Sequence, residues 1–113
     1  VLTGATLNQA RMGRALLAGA NLSQASMFEV SLNEANLHRA TLTGARMVDA
    51  DLSGADLSGA NLSSAQMYGV NLRMANLAGA SLGNAELERA DLTGAKLAGA
   101  DVYSAGLNRT VLV

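Results

Sequence analysis

The 113-residue chain has no cysteine, no proline and no tryptophan, and its aromatic content is one Phe and two Tyr. Without cysteine there is no disulfide framework and no thiolate chemistry, and nothing indicates redox compartment. The lack of proline fits a fold in which every segment gives its backbone N–H to a neighbouring coil. Charge is scarce and balanced: eight basic against nine acidic residues, net −1, with Lys96 the single lysine. Steering toward nucleic acid is therefore weak and no basic stripe exists to follow a phosphate backbone, so direct nucleic-acid binding is not expected. The longest apolar stretch, 15–20, is far too short to span a bilayer, so no membrane insertion is expected. No signal peptide is visible, and the default compartment is the cytoplasm. One His and scattered carboxylates make no zinc or calcium constellation, and the glycines follow the chain's period, not a strand–loop–helix unit. No cofactor and no metal are expected.

What the chain has is a period of five. A leucine or close equivalent returns every fifth residue from Leu2 to Leu112 without a break in phase; of 23 such positions 18 are Leu, four are Met12, Met27, Met47 and Met67, and one is Val102. Two residues before each stands an Ala in 19 of 22 cases, the exceptions being Val30, Val70 and Thr110. A period this strict marks a repeat architecture.

A helix hosts the pattern badly. At about 100° per residue, steps of five spiral the leucines around the cylinder, and Ala–x–Leu would fall on opposite sides. In an extended segment residues two apart share a face, but an odd period flips each Leu in a continuous strand. Both demands are met if each pentapeptide is a short extended piece followed by a turn, Ala and Leu pointing inward and the other three outward. Turn chemistry agrees. The residue two after the central Leu is Gly nine times, including Gly4, Gly54 and Gly79, and Gly tolerates positive φ at corners. The residue just before it is Asn or Asp nine times, including Asn21, Asp56 and Asp101, side chains that bond back to turn backbone. The atypical units Ser26–Val30, Arg46–Ala50 and Gln66–Val70 recur twenty apart, each with a central Met followed by a large apolar residue. Such covariation predicts twenty residues per coil, one pentapeptide per side of a square.

The stretch Ala55-Asp56-Leu57-Ser58-Gly59-Ala60-Asn61-Leu62-Ser63-Ser64 resembles the A(D/N)LXX signature of the pentapeptide-repeat family, and the likeness covers the whole chain. The resemblance implies an all-β fold, a right-handed quadrilateral parallel β-helix with stacked leucines inside. Here it would have five to six coils of 20 residues and, at roughly 4.8 Å per coil, a length of about 27 Å. Residues 1–113 read as one such domain. An opening in mid-repeat at Val1-Leu2, with no initiator Met, points to a fragment of a longer chain.

Function is less legible. The reading is a non-catalytic structural or protein-interaction scaffold of bacterial type, with a protein partner of unknown identity. Its candidate interaction patch is the outward column Phe28, Val48 and Tyr68, one coil apart, flanked by the acidic pair Glu29 and Asp49 with Arg46 close by; aromatic residues are enriched at interfaces. The alternative is cross-strand packing that only stabilises the wall. Continuously apolar Val111, Leu112 and Val113, after the irregular Gly106 and Thr110, make a candidate association surface for a homodimer through the C-terminal coil. The Met27–Met47–Met67 column reads as gap-filling core beside Val30 and Val70, since thioethers facing a dry interior without Cys or His are a poor soft-metal site. His38, Ser58 and Asp56 fall within about one coil of each other, but on a convex wall without a cleft, so His38 reads as a solvated surface residue and an enzymatic role as remote. The runner-up function comes from the resemblance: some family members are similar to duplex DNA in shape and charge and bind type II topoisomerases. That mechanism needs a strongly acidic face. Here Asn36, Asn71, Asn76 and Lys96 dilute the columns of Asp51, Asp56 and Asp91, and Arg39, Arg46, Arg73, Arg89 and Arg109 break up the pattern.

Overall fold

The computed structural model describes residues 1–112 and contains only short bridges and turns among them, with no helix. Every bridge is parallel and joins a residue to the one twenty further on, so the chain passes over itself once per four pentapeptides. The bridges form four ladders, each running up one wall, named here by a central residue. The Arg46 wall carries Thr6, Ser26, Arg46, Gln66, Glu86 and Gly106. The Asp51 wall carries Arg11, Ser31, Asp51, Asn71, Asp91 and Val111. The Asp56 wall carries Leu16, Asn36, Asp56, Asn76 and Lys96, and the Asn61 wall carries Asn21, Thr41, Asn61, Ser81 and Asp101. The molecule extends 30 × 21 × 20 Å, close to the length expected from the coil spacing.

Backbone hydrogen bonding explains why the repeat is five residues long. In the unit 51–55, the Asp51 N–H donates to the Val30 carbonyl at 2.9 Å, the Leu52 N–H to Asn71 at 2.8 Å and the Gly54 N–H to Arg73 at 2.8 Å. The Ala55 N–H closes the turn onto the Leu52 carbonyl at 3.1 Å. One donor is left over, the N–H of residue 53, which points outward at the turn; the Asp51 carboxylate accepts it at 3.0 Å. The same side-chain bond forms from all nine Asn and Asp residues in this position. A backbone donor that no neighbouring coil can reach is thus satisfied locally, which is the physical content of the N/D preference.

The turn sets the other preference. Its third residue has positive φ in all 22 units, nine of them Gly and thirteen not, among them Glu29, Asp49, Arg89 and Arg109. Sequence reasoning tied the corner to glycine, whereas the ladders on both sides hold side-chain-bearing residues there as well. The left-handed region costs such residues on the order of 1–2 kcal/mol each.

Ala and Leu point inward throughout. From Leu22 to Leu92 every central residue and every small residue is at most 3% exposed, and no polar residue is buried among the described residues. Each such Leu or Met contributes roughly 1.5–3 kcal/mol by leaving water. Met27, Met47 and Met67 are fully buried with Val30 and Val70 in this core.

Candidate functional site

The Arg46 wall holds the predicted patch. Register puts Phe28, Val48 and Tyr68 one above another: the Glu29 N–H reaches the Val48 carbonyl and the Asp49 N–H reaches that of Tyr68, both at 3.0 Å. Phe28 and Val48 are half-buried, and Tyr68 is 40% exposed. Two guanidinium groups cover the aromatic faces, Arg46 with its central carbon 4.9 Å from the Phe28 ring centre and Arg89 5.5 Å from that of Tyr68. Each contact of this kind, at an exposed site, is worth roughly 0.5–1 kcal/mol and leaves the guanidinium N–H groups free to meet another molecule. Sequence reasoning placed Arg46 beside the ladder but missed Arg89. The signal was available, since a residue twenty-one ahead sits one coil up and one position across.

Of the flanking acids, Glu29 accepts from Gln9 Nε2 at 3.3 Å. Asp49 leans over Gly69, occupying the space where a side chain there would begin. The Phe28 N–H donates to Asn8 Oδ1 at 2.8 Å, tying the foot of the ladder to the coil below. The second predicted surface is in part visible: Val111 and Leu112 are 44% and 58% exposed, and Val113 lies outside the described residues.

The Asp56 wall brings His38, Ser58 and Asp56 together in an order that differs from a nucleophilic triad. Ser58 Oγ donates to Asp56 Oδ1 at 2.6 Å, and His38 Nδ1 lies 2.8 Å from the same Oγ. The serine stands between acid and imidazole, its proton directed to Asp56, so no base is held by the acid to receive it. The Ser58 hydroxyl and backbone N–H, with His38 and Asn76 adding to them against partial burial, hold the Asp56 carboxyl below the usual carboxylate range. This is a surface hydrogen-bond chain that braces three coils.

The Asp51 wall carries both ion pairs found among the described residues, Arg14–Glu34 at 2.9 Å and Arg73–Asp91 at 3.1 Å. Asp91 accepts from Thr93 Oγ1 at 2.5 Å and from the Thr93 N–H at 2.9 Å. Those two bonds and then the Arg73 contact hold its carboxyl at about 2. A shallow hollow of about 400 Å3 opens on this wall where Gly54 leaves a gap between Glu34 and Met74.

Comparison with known proteins places these features in context. Rfr23, a pentapeptide repeat protein from the cyanobacterium Cyanothece 51142, superimposes with a TM-score of 0.80 at 35% identity, over 82% of this chain and 64% of that one. HetL, a pentapeptide repeat protein involved in heterocyst differentiation regulation in the cyanobacterium Nostoc sp. strain PCC 7120, gives 0.76 at 32% identity, over 93% and 58%. The chain therefore spans less than two thirds of the length of either. QnrB1, a plasmid-mediated fluoroquinolone resistance protein, shares the fold at a TM-score of 0.62 and 18% identity, over 92% of this chain and 63% of that one. No curated protein sequence matches. The fold class in common is the right-handed β-helix. A family model for pentapeptide repeats, in eight copies, matches residues 1–33, 35–73 and 75–109, and the chain belongs to the pentapeptide-repeat family.

Proposed function

We propose that the chain is a four-walled rod of between five and six coils that acts as a non-catalytic protein-binding scaffold, with the Arg46 wall as its contact face. The observation that carries this reading is the column Phe28–Val48–Tyr68, three apolar side chains stacked on one wall with guanidinium groups over both aromatic rings, whereas the exposed Leu16, Met74 and Tyr103 are scattered over the other walls. Rigid apolar faces next to directional charge are what protein contact sites concentrate. Glu29 and Asp49 supply acceptors at the rim, and exposed Val111 and Leu112 make a second candidate contact. A DNA-mimicking role finds less support in the charge layout: Asp51 stacks on Asn71 at 3.1 Å, and Asp91 is neutralised by Arg73.

The test is a double substitution, Phe28→Ser with Tyr68→Ser, assayed for capture of protein partners and for thermal unfolding. The expected result is loss of capture with a small change in unfolding temperature. Unchanged capture with impaired folding would assign the ladder to stability alone. In parallel, added protein should leave DNA supercoiling by a type II topoisomerase unchanged; inhibition there would favour the mimic.

A further inference from the structure

The charges of the Arg46 wall are arranged in a way that a lone molecule does not use. Its outer corner stacks like on like: Glu29 lies directly below Asp49, Gly69 follows, and Arg89 lies directly below Arg109. Like charges at adjacent ladder positions are destabilising. Along the bridging column, Arg46 stands one coil below Gln66 and Glu86 one coil above it. None of these six charged residues makes an ion pair among the described residues; the two ion pairs found among those residues are on the neighbouring wall. The wall is nevertheless close to neutral.

The pattern becomes complementary when inverted end for end. A two-fold axis lying in the wall along the segment Gln66–Gly69 keeps each column facing itself and exchanges the coils above and below. Asp49 then faces the second copy's Arg89, Arg46 faces its Glu86, and Glu29 faces its Arg109, with the reciprocal contacts repeated across the axis. Tyr68 meets Tyr68 and Gly69 meets Gly69 across the axis, while Val48 faces the second copy's Glu88 and Phe28 its Asn108, so the charge match is carried by the bridging and corner columns. Two of the side chains already lean toward the axis: Asp49 bends over Gly69 and Arg89 over Tyr68 without pairing within one chain, whereas Arg46 rests on Phe28 one coil below and would have to swing up to meet Glu86.

We infer that the first occupant of this wall is a second copy of the same chain, packed antiparallel and side by side through the Arg46 wall about a two-fold axis at Gln66–Gly69. The inference rests on the reading of this wall as a protein-contact face and names the partner. Such a contact is isologous and closes at two copies. With a wall about 20 by 30 Å, it covers roughly 1,200 Å2 over both copies, at the lower edge of what stable protein pairs bury. The dimer is therefore weak, concentration-dependent and sensitive to salt.

Sedimentation equilibrium over a range of concentrations tests it, with circular dichroism confirming that each variant is folded. The wild-type chain is expected to dimerise, less so at high salt. Arg46→Glu or Glu86→Arg alone should weaken the dimer by about tenfold or more, because each places like charges face to face twice over. Combining the two restores the pairing and should recover most of the affinity. Gln66→Cys should cross-link to itself on oxidation, whereas Thr41→Cys on the Asn61 wall should not. A wild-type monomer at every concentration overturns the proposal. So does a dimer indifferent to the charge reversals and to Gln66→Cys, which would place association elsewhere, at Val111 and Leu112 for instance. A monomer that still loses captured protein partners on Phe28→Ser/Tyr68→Ser overturns self-association while leaving the contact-face reading standing.

Discussion

At the residue scale, the corner of each turn separates two roles that glycine plays in this chain. Gly79 sits at the third turn position with φ +67 and has no atom within 4 Å of where a Cβ would be, so Gly79→Ala tests backbone strain alone. Gly83 sits one position earlier in its turn, without positive φ, and a Cβ there would lie 3.7 Å from the Tyr103 carbonyl oxygen, an ordinary contact. Urea denaturation should show Gly79→Ala destabilised by about 1 kcal/mol and Gly83→Ala unchanged or slightly stabilised, since it only reduces the freedom of the unfolded chain. Equal effects at both sites would mean the corner conformation is not what selects glycine. The Asn/Asp position makes a second case, through pH. Asp91 is held at about 2 in the folded chain, against an ordinary value of 3.8. A depressed carboxylate adds stability above its unfolded value and loses it as pH falls through the folded one. Wild type should therefore lose stability between about pH 4 and pH 2 more steeply than Asp91→Asn, which keeps an oxygen for the Thr93 N–H but cannot titrate. Thermal melts across that range should show the gap between the two proteins closing as the acid is added; a constant gap would mean that Asp91 has no proton-linked role.

At the scale of the wall and its core column, stability depends on matching neighbours up and down the stack. Met27, Met47 and Met67 fill the same place in three successive coils, all fully buried. Met47→Leu keeps the volume nearly constant and should cost less than about 1.5 kcal/mol. Met47→Ala opens a cavity between Met27 and Met67 and should cost about 2–5 kcal/mol. If both substitutions prove equally mild in chemical denaturation, the column is not tightly packed and the core is looser than its burial implies. These columns also show what was readable beforehand. Inward Ala and Leu and an outward remainder followed from the odd period with Ala–x–Leu, and twenty residues per coil from the recurrence of the Met-centred units twenty apart. The column Phe28–Val48–Tyr68 followed from the same register. The Arg89–Tyr68 stack did not, because it depends on where a long flexible side chain settles rather than on where its Cα lies. The positive φ at Glu29, Arg89 and eleven other non-Gly corners was equally hidden, since there the ladders on both sides override local preference. The order Asp56–Ser58–His38 was missed for a related reason: proximity in register says nothing about which partner receives the serine proton.

At the scale of the whole molecule, core and surface obey different periods, and this separates folding from binding. Most pentapeptides carry the same inward Ala–x–Leu, with Met and Val replacing Leu and Ala at a few places, so for the core most units are interchangeable. Surface columns repeat only every twenty residues. Removing residues 41–60 takes out one full coil and leaves every later residue on its own wall, with Tyr68 now directly above Phe28. Removing only residues 41–45 turns everything after the deletion by one wall, so that Ser53 lands above Phe28 and Val48 above Ser23. Because a solenoid is stabilised by each coil's contact with the next, the shorter deletion should be the less damaging to stability, and both proteins should keep their β-sheet circular dichroism and unfold cooperatively. Binding should separate them by what each keeps on one wall. The five-residue deletion parts Phe28 and Glu29 from Val48, Tyr68, Arg46, Asp49 and Arg89, which stay together, so capture should be weakened. The twenty-residue deletion removes Arg46, Val48 and Asp49 and keeps only Phe28 and Tyr68 with Arg89, so capture should be weakened further. If the five-residue deletion alone fails to fold, the walls are not interchangeable, and the inward residues that differ between them, Met against Leu and Val against Ala, are specifying position as well as filling space.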